Sequence, residues 1–134
     1  MIFVDTSFWV ALRNRKDQHH QEAIELLQVR GNDSLVTTNH VRGESWTYLR
    51  RKVGHQSAVD FLDALEQSPR VTVTMVSPDI EVSAIKWLRR HDERSYSYVD
   101  ATSFSFMKQQ KVAEALAFDG DFSAAGFTEL RVPR

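Results

Sequence analysis

Short apolar runs alternate along this chain with longer segments whose apolar residues recur at helical spacing. Residues 1–4 carry no charge and predict a buried strand. Residues 7–13 predict a short helix, with Thr6 or Asp5 available as its N-cap. Residues 20–29 place Ala23, Ile24 and Leu27 on one helical face, and Gly31 ends that segment. A second strand is predicted at 34–37, then a helix capped by Asn39 and broken by Gly54. The stripe Ala58, Phe61, Leu62 and Leu65 marks a helix over 56–66, and the alternation over 70–76 marks a third strand. Pro78 suits the first turn of the next helix, which carries Ile80, Ala84, Trp87 and Leu88. A helix over 97–110, a fourth strand over 113–118, a short helix over 121–126 and an edge strand over 129–132 complete the series.

Strands that alternate with helices argue for an α/β fold whose parallel sheet is covered by helices on both faces. Ligands of such sheets bind outside the carboxyl ends of the strands, where the strand order reverses. Asp5 directly follows the first predicted strand, and Asp119 directly follows the fourth. If those strands are neighbours, the two acids face each other across the crevice. Glu44 and Asp100 stand near the starts of two helices. Together the four acids suit a carboxylate cluster that holds a hard metal ion.

Each acid also has a structural reading. Asp5 can cap the first helix. Glu44 can be an acid favoured by the helix dipole, and Asp100 can close a capping box with Ser97. Asp119-Gly120 can be a turn. Asp121 is the better cap for the short helix after it, which frees Asp119 for other work. The histidines lack metal-ligand spacing and read as surface or helix-end residues. The tryptophans at helical spacing read as core. Most of the arginines and lysines read as a solvated face; Arg42, close to Glu44, is the candidate to neutralise a phosphate.

Composition narrows the classes. The 134 residues are expected to form one domain, 1–134. The absence of cysteine excludes disulfides and thiolate metal sites and fits a reducing compartment. No apolar run approaches the roughly 20 residues of a membrane span, and the strand-like start argues against a signal peptide. Seventeen Lys and Arg against 18 Asp and Glu do not announce a nucleic-acid binder. With four acids gathered on one divalent ion, however, the remaining surface is more basic than the total implies.

Val4-Asp5-Thr6-Ser7, Glu44, Tyr98-Val99-Asp100-Ala101-Thr102-Ser103-Phe104 and Ala115-Leu116-Ala117-Phe118-Asp119-Gly120-Asp121-Phe122, then Ala125-Gly126-Phe127, follow one another in a telling order and spacing. In this the chain resembles the PIN-domain ribonucleases, in particular the VapC-type toxins of toxin–antitoxin pairs. The resemblance implies a three-layer α/β/α sandwich with a mainly parallel, twisted sheet. It also implies Mg²⁺ or Mn²⁺ held by Asp5, Glu44, Asp100 and Asp119, with Thr6 or Ser7 supporting the first acid and Asp121 an acid found in only some members. The implied activity is metal-dependent endonucleolytic cleavage of single-stranded RNA in the cytoplasm. The implied partners are a small antitoxin protein across the cleft and a second copy of the chain. Grooves near Trp46 and Trp87 are the expected place for an apolar antitoxin segment. One departure is Ala117, where many relatives carry a hydroxyl. Two rival readings stand beside this one. A metal-dependent phosphatase with an Asp nucleophile would usually carry a second acid where Ser7 stands. A non-catalytic nucleic-acid-binding module would show no metal dependence.

Overall fold

Ile2, Phe3 and Val4 form the first strand, β1 (Ile2–Val4), and all three are buried, which requires protein on both faces of the strand. The computed structural model describes residues 1–133. Beside β1 lie β2 (Leu35–Thr38) and β4 (Glu114–Leu116), with β3 (Val71–Thr74) outside β2 and β5 (Thr128–Glu129) outside β4. The order is therefore β3-β2-β1-β4-β5, and all four pairings are parallel. The chain winds outward from β1 to β3, then returns to the other side of β1. The reversal falls between β1 and β4, so the strands that lead to Asp5 and Asp119 are neighbours.

The register carries that adjacency to the site. Val4 pairs with Leu116, and the Asp5 amide donates to the Leu116 carbonyl at 3.1 Å. The two strands thus leave the sheet side by side. The Thr37 hydroxyl donates to the Val4 carbonyl at 2.7 Å and pins β2 to the last residue of β1. The outermost strand is shorter than the pattern predicted and begins earlier: Thr128 and Leu130 donate to the carbonyls of Ala113 and Ala115, which ends its pairing where β4 ends.

Seven helices connect and cover the sheet among the described residues: α1 (Thr6–Arg13), α2 (His20–Val29), α3 (Asn39–Lys52), α4 (His55–Gln67), α5 (Pro78–Arg90), α6 (Tyr98–Gln110) and α7 (Asp121–Ala124). The Phe3 ring meets Phe106 of α6 and Phe122 of α7, so these helices lie on one face. Ile2 and Val4, one pleat step away, are buried on the other. Thr38, not Asn39, caps α3: its hydroxyl accepts from the Val41 amide at 3.2 Å. Asn39 is the first helical residue, and its side-chain carbonyl oxygen accepts from the Val76 amide at 2.7 Å, which ties α3 to the chain leaving β3. Gly54 joins α3 to α4 at φ 141°, a conformation that a side chain would strain. Among the described residues no helix is long and apolar enough to cross a membrane.

Candidate active site

Asp5 sits where β1 becomes α1. Its side chain accepts from the Ser7 amide at 3.1 Å and from the Ser7 hydroxyl at 2.8 Å, so the capping role read from the sequence is real. The Ser7 hydroxyl accepts in turn from the Phe118 amide at 3.0 Å. One hydroxyl therefore orients the first acid and anchors the segment that leads to Asp119. Ser7 rather than Thr6 is the supporting residue, because the Thr6 hydroxyl is buried and makes no hydrogen bond. The same link bears on Ala117, which is buried and offers no hydroxyl of its own.

Asp100 is the third residue of α6. It accepts from the Ser97 amide through Oδ2 at 2.9 Å, while the Ser97 hydroxyl accepts from the Asp100 amide at 2.9 Å. The capping box and the carboxylate cluster are thus one structure: the box fixes the side chain at the cleft. After β4, Asp119 Oδ1 accepts from the Asp121 amide at 3.1 Å, and Gly120 turns the chain at φ 81°. Asp121 is not the cap of α7. Gly120 holds the cap position, Asp119 takes the amide, and Asp121 instead receives the Arg94 guanidinium at 2.9 Å. Carboxylate oxygens of Asp100, Asp119 and Asp121 lie within 4.8 Å of one another. Asp121 therefore belongs to the cluster as well as to its rim.

Asp5, Glu44, Asp100, Asp119 and Asp121 line one cleft of about 570 Å³. Burial pushes the Asp5 carboxyl up to about 8, with the negative charges of Asp119 and Asp100 adding to the effect and the Ser7 hydrogen bonds opposing it. Burial likewise raises Asp100 to about 6, against the Ser97 amide and with help from Asp119, Asp121 and Glu44. Asp119 is open to solvent on one side, yet the protein packed behind its carboxyl raises it too, while the Asp121 amide lowers it. The guanidinium at hand, Arg94, is exposed and donates to Asp121 and to the Asp119 carbonyl. The cleft therefore holds more negative charge than its own cations balance.

That imbalance fits a hard divalent cation. The acids offer only oxygen, and Asp5, Glu44, Asp100 and Asp119 bring their carboxylates from separate elements, a donor set suited to a hard cation.

Other expectations need correcting. Arg42 lies with Leu62, Leu65, Glu66, Val71 and Val73 on the flank formed by α4 and β3, away from the acids. Residues two apart on a helix point to different faces, so nearness to Glu44 in sequence did not bring Arg42 to the cleft. Trp87 packs against His91, Tyr96 and Phe104, and Trp46 packs against His55. Sequence reasoning missed Asp17 and His19, which line the cleft from the turn between α1 and α2. The His19 ring stacks on Phe118 with centroids 4.5 Å apart. No spacing rule pointed to these two; their only mark was a polar, non-periodic stretch directly before α2.

Comparison with known proteins agrees with this fold. A family model described as the PIN domain matches residues 2–128. Two strains of Mycobacterium tuberculosis, CDC 1551 / Oshkosh and ATCC 25618 / H37Rv, each carry a relative named 23S rRNA-specific endonuclease VapC20. Each is 52% identical over 131 residues, which is 98% of both chains. The crystal structure of Mycobacterium tuberculosis VapC20, described as a sarcin–ricin loop cleaving toxin, superposes with a TM-score of 0.92. It is 50% identical and covers 98% of this chain and 100% of that one.

Proposed function

The chain belongs to the PIN-domain family, and we propose that it is a metal-dependent endoribonuclease that hydrolyses phosphodiester bonds in RNA, the toxin of a toxin–antitoxin pair. The observation that carries this reading is the carboxylate set of buried Asp5 and Asp100 with the more open Asp119, gathered at one strand reversal without a balancing cation. Passive caps on surface helices have no need of such burial. The 52% identity to a 23S rRNA-specific endonuclease, over 98% of the chain, supports ribosomal RNA, and a sarcin–ricin hairpin in particular, as the substrate class. A phosphatase nucleophile is disfavoured, because Ser7 stands where its partner acid belongs and is committed to holding Asp5.

Asp5, Asp100 and Asp119 would hold Mg²⁺ or Mn²⁺ directly or through water. When bound, the cation supplies Lewis acidity toward a phosphoryl oxygen and toward water, and neutralises developing charge. Ser7 fixes the Asp5 rotamer, and the Ser97 box fixes that of Asp100. Glu44 orients the attacking water or completes the ligand set. Asp121 holds Arg94 at the rim, within reach of a flanking phosphate.

Residues 1–134 act as one nuclease domain, supported by a core cluster that runs from Ile2 to Leu130. Action in the cytoplasm follows from a ribosomal substrate. A small antitoxin protein would silence the enzyme by covering the cleft. Self-association as a homodimer would use helices beside the sheet, where Val82 and Ile85 of α5 are exposed.

The test has two arms. Mn²⁺ is titrated while the melting temperature of wild type and of Asp5→Asn is followed, and a sarcin–ricin hairpin RNA is incubated with and without EDTA. Stabilisation of wild type alone, with cleavage abolished by EDTA, is the expected result. Cleavage that survives both EDTA and Asp100→Asn sinks the assignment.

A further inference from the structure

On the far side of the turn that carries Asp17 and His19 lies a second hollow, of about 700 Å³, lined by Arg13, Arg15, Lys16 and Lys52. Lys52 also lines a third hollow with Arg51, and that one shares Glu44 and Tyr48 with the acid cleft. The third hollow therefore adjoins both of the others, the acid cleft through Glu44 and Tyr48 and the basic hollow through Lys52. Among the described residues none of these five cations forms an ion pair. The acid lining the basic hollow, Asp60, accepts from the Gln56 side chain.

Cations at helix ends have an ordinary explanation. Arg13 closes α1, and Arg51 and Lys52 close α3, where the helix dipole favours them. The explanation does not reach Arg15 and Lys16, which stand outside any helix, on an ordered turn. Asn14 Oδ1 accepts from the Lys16 amide at 3.1 Å, and the Asp17 amide donates to the Asn14 carbonyl. Behind them the His20 ring is hydrogen-bonded to the Ala11 carbonyl at 2.8 Å, which holds α2 against α1. The turn thus presents two exposed cations from a fixed frame, next to a cleft where a phosphodiester would be cut.

We propose that Arg13, Arg15, Lys16, Arg51 and Lys52 form a phosphate track that grips the RNA backbone beside the scissile bond. The track rests on the ribonuclease reading for its substrate. It explains how a chain of net charge −1 can hold a polyanion: six of its 18 acids line the cleft, and cations outside any ion pair among the described residues lie along its flank. Because the track touches phosphates, it supplies affinity and register and leaves sequence choice to other groups.

The experiment measures binding of a fluorescent sarcin–ricin hairpin RNA in EDTA, so that cleavage does not intervene, over a range of salt concentrations. Wild type is compared with Arg15→Gln/Lys16→Gln, and with Lys108→Gln as a control cation at the opposite end of α6. The double variant should bind about tenfold more weakly near 0.1 M salt, and its log–log salt slope should be shallower by roughly 0.7–0.9 for each phosphate no longer neutralised. Its melting temperature and Mn²⁺ response should match wild type, which separates the effect from misfolding. A double variant that binds with the affinity and slope of Lys108→Gln overturns the track, as does a wild type that does not bind the hairpin. Wild-type binding with the expected slope change, but no metal-dependent cleavage, would leave the track standing and refute the ribonuclease reading.

Discussion

The same two helices build both the acid cleft and the aromatic core beneath it, to opposite ends. α6 places Asp100 in its first turn and Phe104 one turn later, and α7 places Asp121 beside Phe122. Below, Phe104 meets Phe122 edge to face at 4.9 Å, with Phe3, Phe106, Phe127 and Trp87 around them. Above, carboxylates sit near enough to one another that a pair at 4 Å would repel by roughly 4 kcal/mol at an effective dielectric near 20. The core releases free energy that the cleft consumes. A cluster of carboxylates that repel one another needs a rigid support directly under it.

The comparison can be broken first from below. Phe104→Ala should cost about 3–5 kcal/mol, read by denaturant unfolding, and should weaken the Mn²⁺ response because Asp100 rides on the same helix. Next, the cleft alone can be disarmed. Asp100→Asn should lower hairpin cleavage about 100-fold or more while leaving the metal-free protein at least as stable as wild type, since it removes a charge from a crowded site. A loss of both activity and stability would show that the capping box matters more than the cluster.

Proton linkage sharpens the same contrast. Asp5 keeps its proton in the folded chain up to about 8, whereas the unfolded chain releases it near 3.8. Between those values the folded state binds more protons, so stability of the metal-free protein falls as pH rises, by on the order of several kcal/mol across the window. Asp5→Asn should flatten that decline, and saturating Mn²⁺ should offset it; melting curves at pH 5 and pH 8 decide the matter. Ser7→Ala should then cost about 10–100-fold in metal affinity or cleavage, with only a small effect on unfolding. The smallest effect is expected at the rim. Arg94→Gln should change stability by less than about 1 kcal/mol, because the guanidinium is exposed.

Much of this was legible in the sequence. An uncharged run ending before Asp5 and a mostly apolar run ending before Asp119 marked the strand ends, and the alternation of elements made the strands parallel. The neighbouring of β1 and β4, inferred from that logic, is what brings the acids together. What sequence could not supply was the direction of short side chains. Asp121 read as a cap because it precedes a helix, but Gly120 holds that position, and the Ser123 amide donates to Glu129 instead. Asn39 read as a cap for the same reason, although Thr38, one residue earlier, was better placed. His19 and Arg94 reach the site through loops, where no periodicity reports which way a residue faces.

The Ser7 hydroxyl bridges Asp5 to the Phe118 amide across 111 residues of chain. Until β4 has been synthesised and has paired with β1, that bridge cannot close, and Asp119, the last of the four principal acids to be made, has no place to dock. A ribosome building this protein therefore carries a nascent chain with an incomplete acid set until β4 and Asp119 have emerged and docked beside β1.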